Sequence, residues 1–363
     1  MSQYYFDHVV IGGGLAGLAA ASSLLGAERS VCLIEKESIA SGASGTPLGL
    51  VNPATGRYAT KSWRAEDCYK AVYNDLKKVS AGSGRSIFRE NGVLRPALTN
   101  KIADRMQENT LESNWPEDWA EWISQEKIHD SYKGLNVTNG GVWLPIGLTV
   151  DIAGYLEHKA VRLQERGLKI LIGSEPVVER EDGSWVIRTA DHSVNCESVI
   201  YAAGHLTKRV SYWDWLPIHS VKGQVARFRT DYAFPYPCSI SALGYLGSLN
   251  ENEFTVGSTY EHKFDHTEPD DYGIRYLKER MKKVVPDLIE SGELIGQWAG
   301  VRASTPNRKP ILGEHPEHPN LYVFAGLGSK GMLYSAYLGD LLAKHILEDG
   351  PLPDEISISR ISK

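Results

Sequence analysis

The segment Phe6 to Ile11 closes on Val9-Val10-Ile11 and runs straight into Gly12-Gly13-Gly14-Leu15-Ala16-Gly17. A short apolar run of this kind is expected to be a strand buried on both faces. The Ala/Leu-rich stretch to about Ala27 then reads as a helix and Val31 to Glu35 as a second strand, which makes a βαβ unit. Gly12, Gly14 and Gly17 satisfy G-x-G-x-x-G at the strand-to-helix turn. The first glycine gives the tight turn, the second lets backbone approach a pyrophosphate, and the third lets helix and strand pack closely. The helix start, with Leu15 and Ala16, faces the anion. Glu35 ends the second strand where a carboxylate accepts from both ribose hydroxyls, with Lys36 beside it. These residues require a Rossmann-like α/β unit that holds a dinucleotide.

Length and charge narrow the rest. With 363 residues, 42% of them hydrophobic and 23% charged, the chain is long enough for about two domains and unlike a disordered or collagenous sequence. A net charge of -6 argues against holding nucleic acid by bulk charge, although a local basic patch remains compatible with it. Cys32, Cys68, Cys196 and Cys238 form no CxxC pair and no metal-ligand cluster, so no metal is expected and a reducing, cytoplasmic setting fits. Val9 to Gly26 carries no charge, but its glycines and its division into strand, turn and helix argue against a membrane span.

Nucleotide-binding patterns recur in the middle and at the end of the chain. Asp151 to Arg166 reads as a helix, followed by strands at Leu168–Ile172, Val177–Val178, Trp185–Thr189 and Ser198–Ala203. The last part gives a strand from Asn320 to Ala325, a glycine loop from Gly326 to Gly331, and a helix from Met332 to Glu348 stopped by Gly350-Pro351. Strands at Ile218–Thr230 and Phe254–Thr259, with a helix near 272–285, belong to a different sheet. The expected organisation is therefore a cofactor-binding domain from 1–80, 151–213 and 301–363. A discontinuous α+β substrate domain with an antiparallel sheet would come from 81–150 and 214–300.

Three features select FAD over NAD. Ser41-Gly42-Ala43-Ser44-Gly45 follows the ribose acid and brings small residues beside a pyrophosphate, with Ser41, Ala43 and Ser44 as contacts. Tyr201-Ala202-Ala203-Gly204 closes a strand with Ala202, Ala203 and Gly204 where backbone meets the nucleotide. Gly326, Gly328, Ser329, Lys330, Gly331 and Met332 aim a second helix start inward. An NAD domain needs no such C-terminal return, whereas a dinucleotide ending in isoalloxazine does. Val177 is assigned to the same FAD site, and the absence of cysteine from this loop and from 302–316 points to non-covalent FAD.

Gly12 to Gly17, Glu35, Ser41 to Gly45 and Ala202-Ala203-Gly204 resemble the FAD-dependent amino-acid oxidase superfamily, which includes glycine, sarcosine and D-amino acid oxidases. Five further stretches are similar to the FAD oxidoreductase domain of the bifunctional enzymes that make 5-methylaminomethyl-2-thiouridine in tRNA. They are Gly42 to Gly45, Tyr201 to His205, Leu216 to Val225, Gly300-Val301-Arg302-Ala303, and Leu321 to Gly331. The sharp motifs lie in 9–56 and 198–345. No stretch reads as the methyltransferase domain of those enzymes. Lys330 stands where they commonly carry Arg, and Asn307 where the superfamily often has Asp.

The resemblance implies flavin amine oxidation, in which the protein must bind, orient and balance charge. Arg302 lies in the apolar-small context Trp298 to Ala303, and its guanidinium matches both oxygens of a carboxylate. In the superfamily this arginine anchors the substrate, and a structural ion pair inside the second sheet is the competing reading. Lys330, at the start of the last helix, would stabilise an anionic reduced flavin or hold the carboxylate from the other side; a solvated loop lysine competes. Arg302 and Lys330 are thus the catalytic candidates. Lys222 would assist oxygen reactivity unless its strand turns it to water, and His205, His219 and Tyr245 are further pocket candidates.

The expected substrate is an N-substituted glycine, with the carboxymethylaminomethyl group of tRNA wobble uridine as the specific candidate. The products would be an amine and glyoxylate. Free glycine, sarcosine or a D-amino acid is the alternative, and a flavoprotein without turnover is the alternative of another class. Arg57 and Lys61 could reach a carboxylate or an RNA phosphate. For tRNA, the best basic face is Lys61, Arg64, Lys70, Lys77, Lys78, Arg85 and Arg89, with acids interrupting it. The nine tryptophans suit base stacking or core packing equally.

Overall fold

A computed structural model describes residues 2–84, 86–173 and 175–361. Five parallel strands form the centre of the first sheet, in the order Lys169–Ile172, Val31–Glu35, Ser2–Ile11, His192–Tyr201 and His318–Ala325. The strand His192–Tyr201 is long enough for two uses. Its second half pairs with His318–Ala325, while its first half carries the antiparallel pair Ser184–Arg188 and Val177–Glu181. All five parallel strands end at one edge, where an open α/β sheet receives its ligand.

The helix Leu15–Gly26 lies over this sheet beneath the last helix, Gly331–Glu348, and almost all its first half is buried. Small residues set that distance: a Cβ on Gly339 would stand 2.9 Å from the Ala19 backbone. The sequence expectations for both helices and for Ile152–Glu165 hold to within a residue or two. No helix among the described residues is long and apolar enough to cross a membrane.

The second sheet has eight strands, and every one comes from residues 93–144 or 219–304. It begins with Glu293–Ser304 beside His219–Arg229, then Glu253–Gly257, Tyr245–Gly247, Ser239–Ser241, Val93–Pro96, Gly141–Leu144 and Glu121–Ile123. The pairing is antiparallel except where Ser239–Ser241 runs parallel to Val93–Pro96. Its helix-covered face packs Phe228, Phe254 and Met281, with Asp271–Met281 and Pro286–Ser291 laid across it. The helix expected near 272–285 therefore ends earlier and restarts at Pro286, because proline is accommodated only in the first turn.

One buried ion pair fastens Ala65–Ser80 to Ile152–Glu165. Lys159 Nζ lies 2.5 Å from Asp75 Oδ2, and the Tyr155 hydroxyl donates to the same oxygen. Burial raises the Asp75 carboxyl, but the Lys159 charge and the hydrogen bonds from Lys159 and Tyr155 outweigh it and hold the carboxyl below its ordinary value. A depressed carboxylate stabilises the fold above its unfolded pKa and loses that contribution as pH falls through the folded one. Lys159→Met, which strands the charge, is expected to cost about 3–5 kcal/mol at pH 7. In denaturant titrations, the stability difference between Asp75→Asn and the parent should shrink as pH drops below about 4. An undiminished difference at pH 3 would show that Asp75 is not ionised in the fold.

Candidate active site

A cavity of ≈ 1140 Å³ runs along the carboxyl ends of the parallel strands and continues across the open face of the second sheet. Ordinary small-molecule pockets hold about 300–1,000 Å³, so this one has room for an extended ligand and a second molecule. Ile11, Glu35, Tyr201 and Ala325 mark the four strand ends it touches.

The first turn works because side chains are missing. Gly12 has φ +113°, and a Cβ there would stand 2.5 Å from the Ala202 carbonyl oxygen. A Cβ on Gly17 would fall 1.8 Å from the Gly12 oxygen, so Gly17 seats the helix start without lining the cavity. Ser44 Oγ accepts from the Leu15 N–H at 3.1 Å, which places the 41–45 loop directly over the helix N-terminus. Glu35 Oε2 accepts from Gly13 N at 2.6 Å, and its Oε1 accepts from Glu37 N at 3.0 Å. The carboxylate is thereby fixed at the strand end. Lys36 lies 3.6 Å from Glu175 at the cavity rim.

The opposite wall is the C-terminal glycine loop. Gly326 and Gly328 adopt φ +76° and +56°, and the Gly328 N–H donates to Ala303 O at 2.8 Å. That bond ties the loop to the strand carrying Arg302. Gly331, Met332 and Leu333 then present the start of an 18-residue helix with no side-chain cap. The cradle fits FAD: two helix N-termini, a ribose acid and backbone stripped of Cβ atoms face one elongated cavity.

Of the residues expected to hold the cofactor, all but Gly17 and Val177 line this cavity. Val177 begins its strand exposed, and Glu175 and Pro176 occupy the rim instead. The prolonged strand pairing to Arg188 turns Val177 away.

Arg302 projects from Glu293–Ser304 across Gly223 of the neighbouring strand, where a Cβ would meet Nη2 at 2.1 Å. Its Nη2 donates to Ser258 Oγ at 2.6 Å and its Nη1 to Thr259 O at 3.2 Å, with the Tyr260 ring 4.8 Å away. No ion pair to Arg302 occurs among the described residues. The structural ion pair considered for it is absent there, and its fork keeps unused donors. Lys330 also lines the cavity, but Nζ folds back to 5.0 Å from the Tyr334 ring. Burial, then the charges of Arg308 and Lys309, push its ammonium below the usual lysine value.

Other candidates resolve differently. Lys222 does not face water or the cavity: it is 1% exposed and bonded to Asp270 at 3.0 Å, with Glu261 3.9 Å away. The helix Asp271–Met281 covers the face that strand alternation would have left open. Burial raises the Asp270 carboxyl, yet hydrogen bonds from Gln224, Gly273 N and Lys222 together pull it far below the usual range. His219 is exposed and outside the cavity, whereas His205 and Tyr245 line it. Tyr245 donates to Leu48 O at 2.7 Å, and burial pushes its phenol up to about 12.

Three residues of the basic face are paired, as Lys61–Glu66, Arg64–Asp67 and Lys77–Glu90; Lys70, Lys78 and Arg89 have no ion pair among the described residues, and Arg85 lies outside them. Trp185 and Trp213 are core residues, while Trp298 lines the cavity. Among the cavity residues that the sequence did not single out are Arg95 and Arg280. Arg95 sits in the apolar run Val93-Leu94-Arg95-Pro96, the same signal that marked Arg302.

Residues 7–345 match the profile described as DAO, FAD dependent oxidoreductase. Curated relatives include the tRNA 5-methylaminomethyl-2-thiouridine biosynthesis bifunctional proteins MnmC of Thiobacillus denitrificans and Idiomarina loihiensis. The first is 28% identical over 97% of this chain and 58% of that protein, the second 29% over 99% and 60%. The chain thus spans about three fifths of the length of these relatives. Among solved structures, glycine oxidase from Geobacillus kaustophilus superposes with a TM-score of 0.86 at 22% identity over 96% of each chain. L-proline dehydrogenase from P. horikoshii follows at 0.84 and 20%, covering 96% of this chain and 95% of its own. At those identities the structures establish the shared fold. Matched over nearly its whole length, the chain belongs to the DAO family of FAD dependent oxidoreductases.

Proposed function

We propose that this protein oxidises the C–N bond of an N-substituted glycine, and that the carboxymethylaminomethyl group of a tRNA wobble uridine is that substrate. The observation that carries the reading is Arg302, a cavity guanidinium whose partners are a hydroxyl, a carbonyl and an aromatic ring rather than a carboxylate. Such a group is prepared for an incoming carboxylate in bidentate geometry. The names of the curated relatives supply the tRNA half of the proposal. In this assignment 1–80, 151–213 and 301–363 form the cofactor domain, while 81–150 and 214–300 bring the substrate to it; the second-sheet strand Glu293–Ser304 runs past the 300/301 boundary, so Arg302 belongs with the substrate side.

FAD, when bound, supplies the two-electron acceptor. Ser258 and Thr259 orient the guanidinium, and Arg302 holds the substrate carboxylate so that the glycine methylene is presented in one pose. Tyr245 stays a neutral phenol, its proton committed to Leu48 O, and leaves oxygen lone pairs for the substrate. The methylene loses a hydride equivalent and the nitrogen loses its proton, giving an imine. Water then splits it into a primary amine and glyoxylate. The helix start at Gly331 and the Lys330 ammonium place positive potential where negative charge arrives.

Arg302→Ala is expected to lower kcat/KM by about 2–4 kcal/mol-equivalent, mostly through KM. Gly223→Ala tests the same contact without touching it: the new methyl must displace the guanidinium while flavin content stays normal. Unchanged KM in both variants would remove Arg302 from the site. Denaturation in acid should release all yellow colour into the supernatant, because the four cysteines are buried and none lines the cavity. Colour retained on the precipitated chain would mean covalent attachment. Nucleoside analysis of tRNA from a deletion strain should show accumulated carboxymethylaminomethyluridine. Unaltered levels would replace the tRNA reading with oxidation of free glycine, sarcosine or a D-amino acid.

A further inference from the structure

Arg95 is only 6% exposed, yet no ion pair to it occurs among the described residues. Nη1 donates to Ser241 Oγ at 2.9 Å and Nη2 to Gly56 O, while Nε is buried without a hydrogen-bond partner. Burial pushes the guanidinium down to about 10, so it remains a cation at neutral pH. An uncompensated buried charge is among the costlier features a fold can carry.

The register of the second sheet relates Arg95 to Arg302. Ser241 stands opposite Tyr245, Tyr245 opposite Gly257, and Ser258 follows. The hydroxyls that receive the two guanidiniums are thus two strand spacings apart, on the order of 10 Å. All four positions line the cavity. Arg280 joins them, its Nε donating to Leu243 O at 2.6 Å, and exposed Arg57 lies at the rim. Neither has an ion pair among the described residues. Of the cavity carboxylates, Glu35, Glu37 and Glu175 belong to the dinucleotide end, which leaves Glu268 as the acid on the second-sheet side.

We infer that Arg95, with Arg280 and Arg57 leading outward, forms a second anion subsite that takes the phosphate of a nucleotide whose base carries the carboxylate held by Arg302. This rests on the proposed N-substituted glycine substrate and specifies its far end. One added carboxylate would need one cation; three further guanidiniums on the cavity wall, buried at Arg95, half-buried at Arg280 and exposed at Arg57, suit a phosphodiester chain continuing out of the cavity. Cationic potential is concentrated here although the chain carries a net charge of -6.

The test uses flavin-loaded enzyme with 5-carboxymethylaminomethyluridine and its 5′-monophosphate. The phosphate is expected to lower KM by roughly 10–100-fold, the scale of charge-assisted hydrogen bonds, with kcat unchanged. Calorimetry with uridine 5′-monophosphate against uridine should show the same preference without turnover. Arg95→Met should erase the phosphate increment and leave nucleoside oxidation intact. A residue that merely supports the Gly56 turn would instead affect both substrates equally. Should Arg95→Met not load flavin, Arg280→Gln must reduce the increment, and the wild-type comparison decides by itself. Equal KM for nucleoside and nucleotide, or an increment surviving in the variants, overturns the subsite while the parent reaction stands. Oxidation of sarcosine with neither uridine compound accepted overturns both.

Discussion

Close backbone approach at Gly12 is the constraint on which the rest of the structure depends. The turn brings the Gly12 backbone against the Ala202 carbonyl, and Gly17 brings the helix back against Gly12. Both contacts exclude a Cβ, so they fix where the helix dipole points and how the strands Ser2–Ile11 and His192–Tyr201 end together. Ser44 and Glu35 are then positioned by that backbone through their bonds to Leu15 N and Gly13 N. The C-terminal loop closes the same groove from far along the sequence, and its Gly328–Ala303 bond makes the cofactor wall and the Arg302 strand one piece. Substrate position and flavin position are therefore set by a shared element.

Electrostatics divides the cavity into two halves with opposite logic. At the dinucleotide end, acids and helix termini face each other and are partly satisfied by backbone before any ligand arrives. Over the second sheet, guanidiniums are held by neutral groups only, which orients them without spending their charge. Desolvation makes each unmatched cation costly, and that cost is recovered when an anion enters. Lys222 shows the contrast within one sheet: buried beside Asp270 and Glu261, it is already neutralised and has nothing left to offer a ligand.

The nucleotide half was legible in the sequence because its chemistry is local. Gly12 to Gly17, Glu35 and the 41–45 loop are contiguous signals whose geometry follows from a strand and a helix start. The second sheet was harder, since its eight strands come from two distant segments joined by one pairing, Ser239–Ser241 with Val93–Pro96, and such pairings leave little trace in periodicity. Lys222 was misplaced because alternation predicts a face but not whether a helix covers it. Val177 starts the strand paired to Arg188 and lies just outside the cavity wall, beside Glu175 and Pro176 that line it. On the basic face, the acids that interrupt it supply partners for Lys61 and Arg64 locally, through Glu66 and Asp67, whereas the partner of Lys77, Glu90, comes from beyond its own helix.

Arg95 and Arg302 show what a stricter reading of the sequence can extract. Each is an arginine inside an apolar or small-residue stretch, a place where a charge is expensive. Local context therefore flags the cost but not its resolution, which depends on whether a carboxylate comes from another strand. Lys159 has such a partner in Asp75; these two arginines receive hydroxyls and carbonyls instead. A cation in a cavity wall with only neutral neighbours, buried as Arg95 is or half-buried as Arg302 is, is the kind of group an anion from outside the chain would complete. It follows that the residues most informative about substrate are the ones whose own fold leaves them electrostatically unfinished.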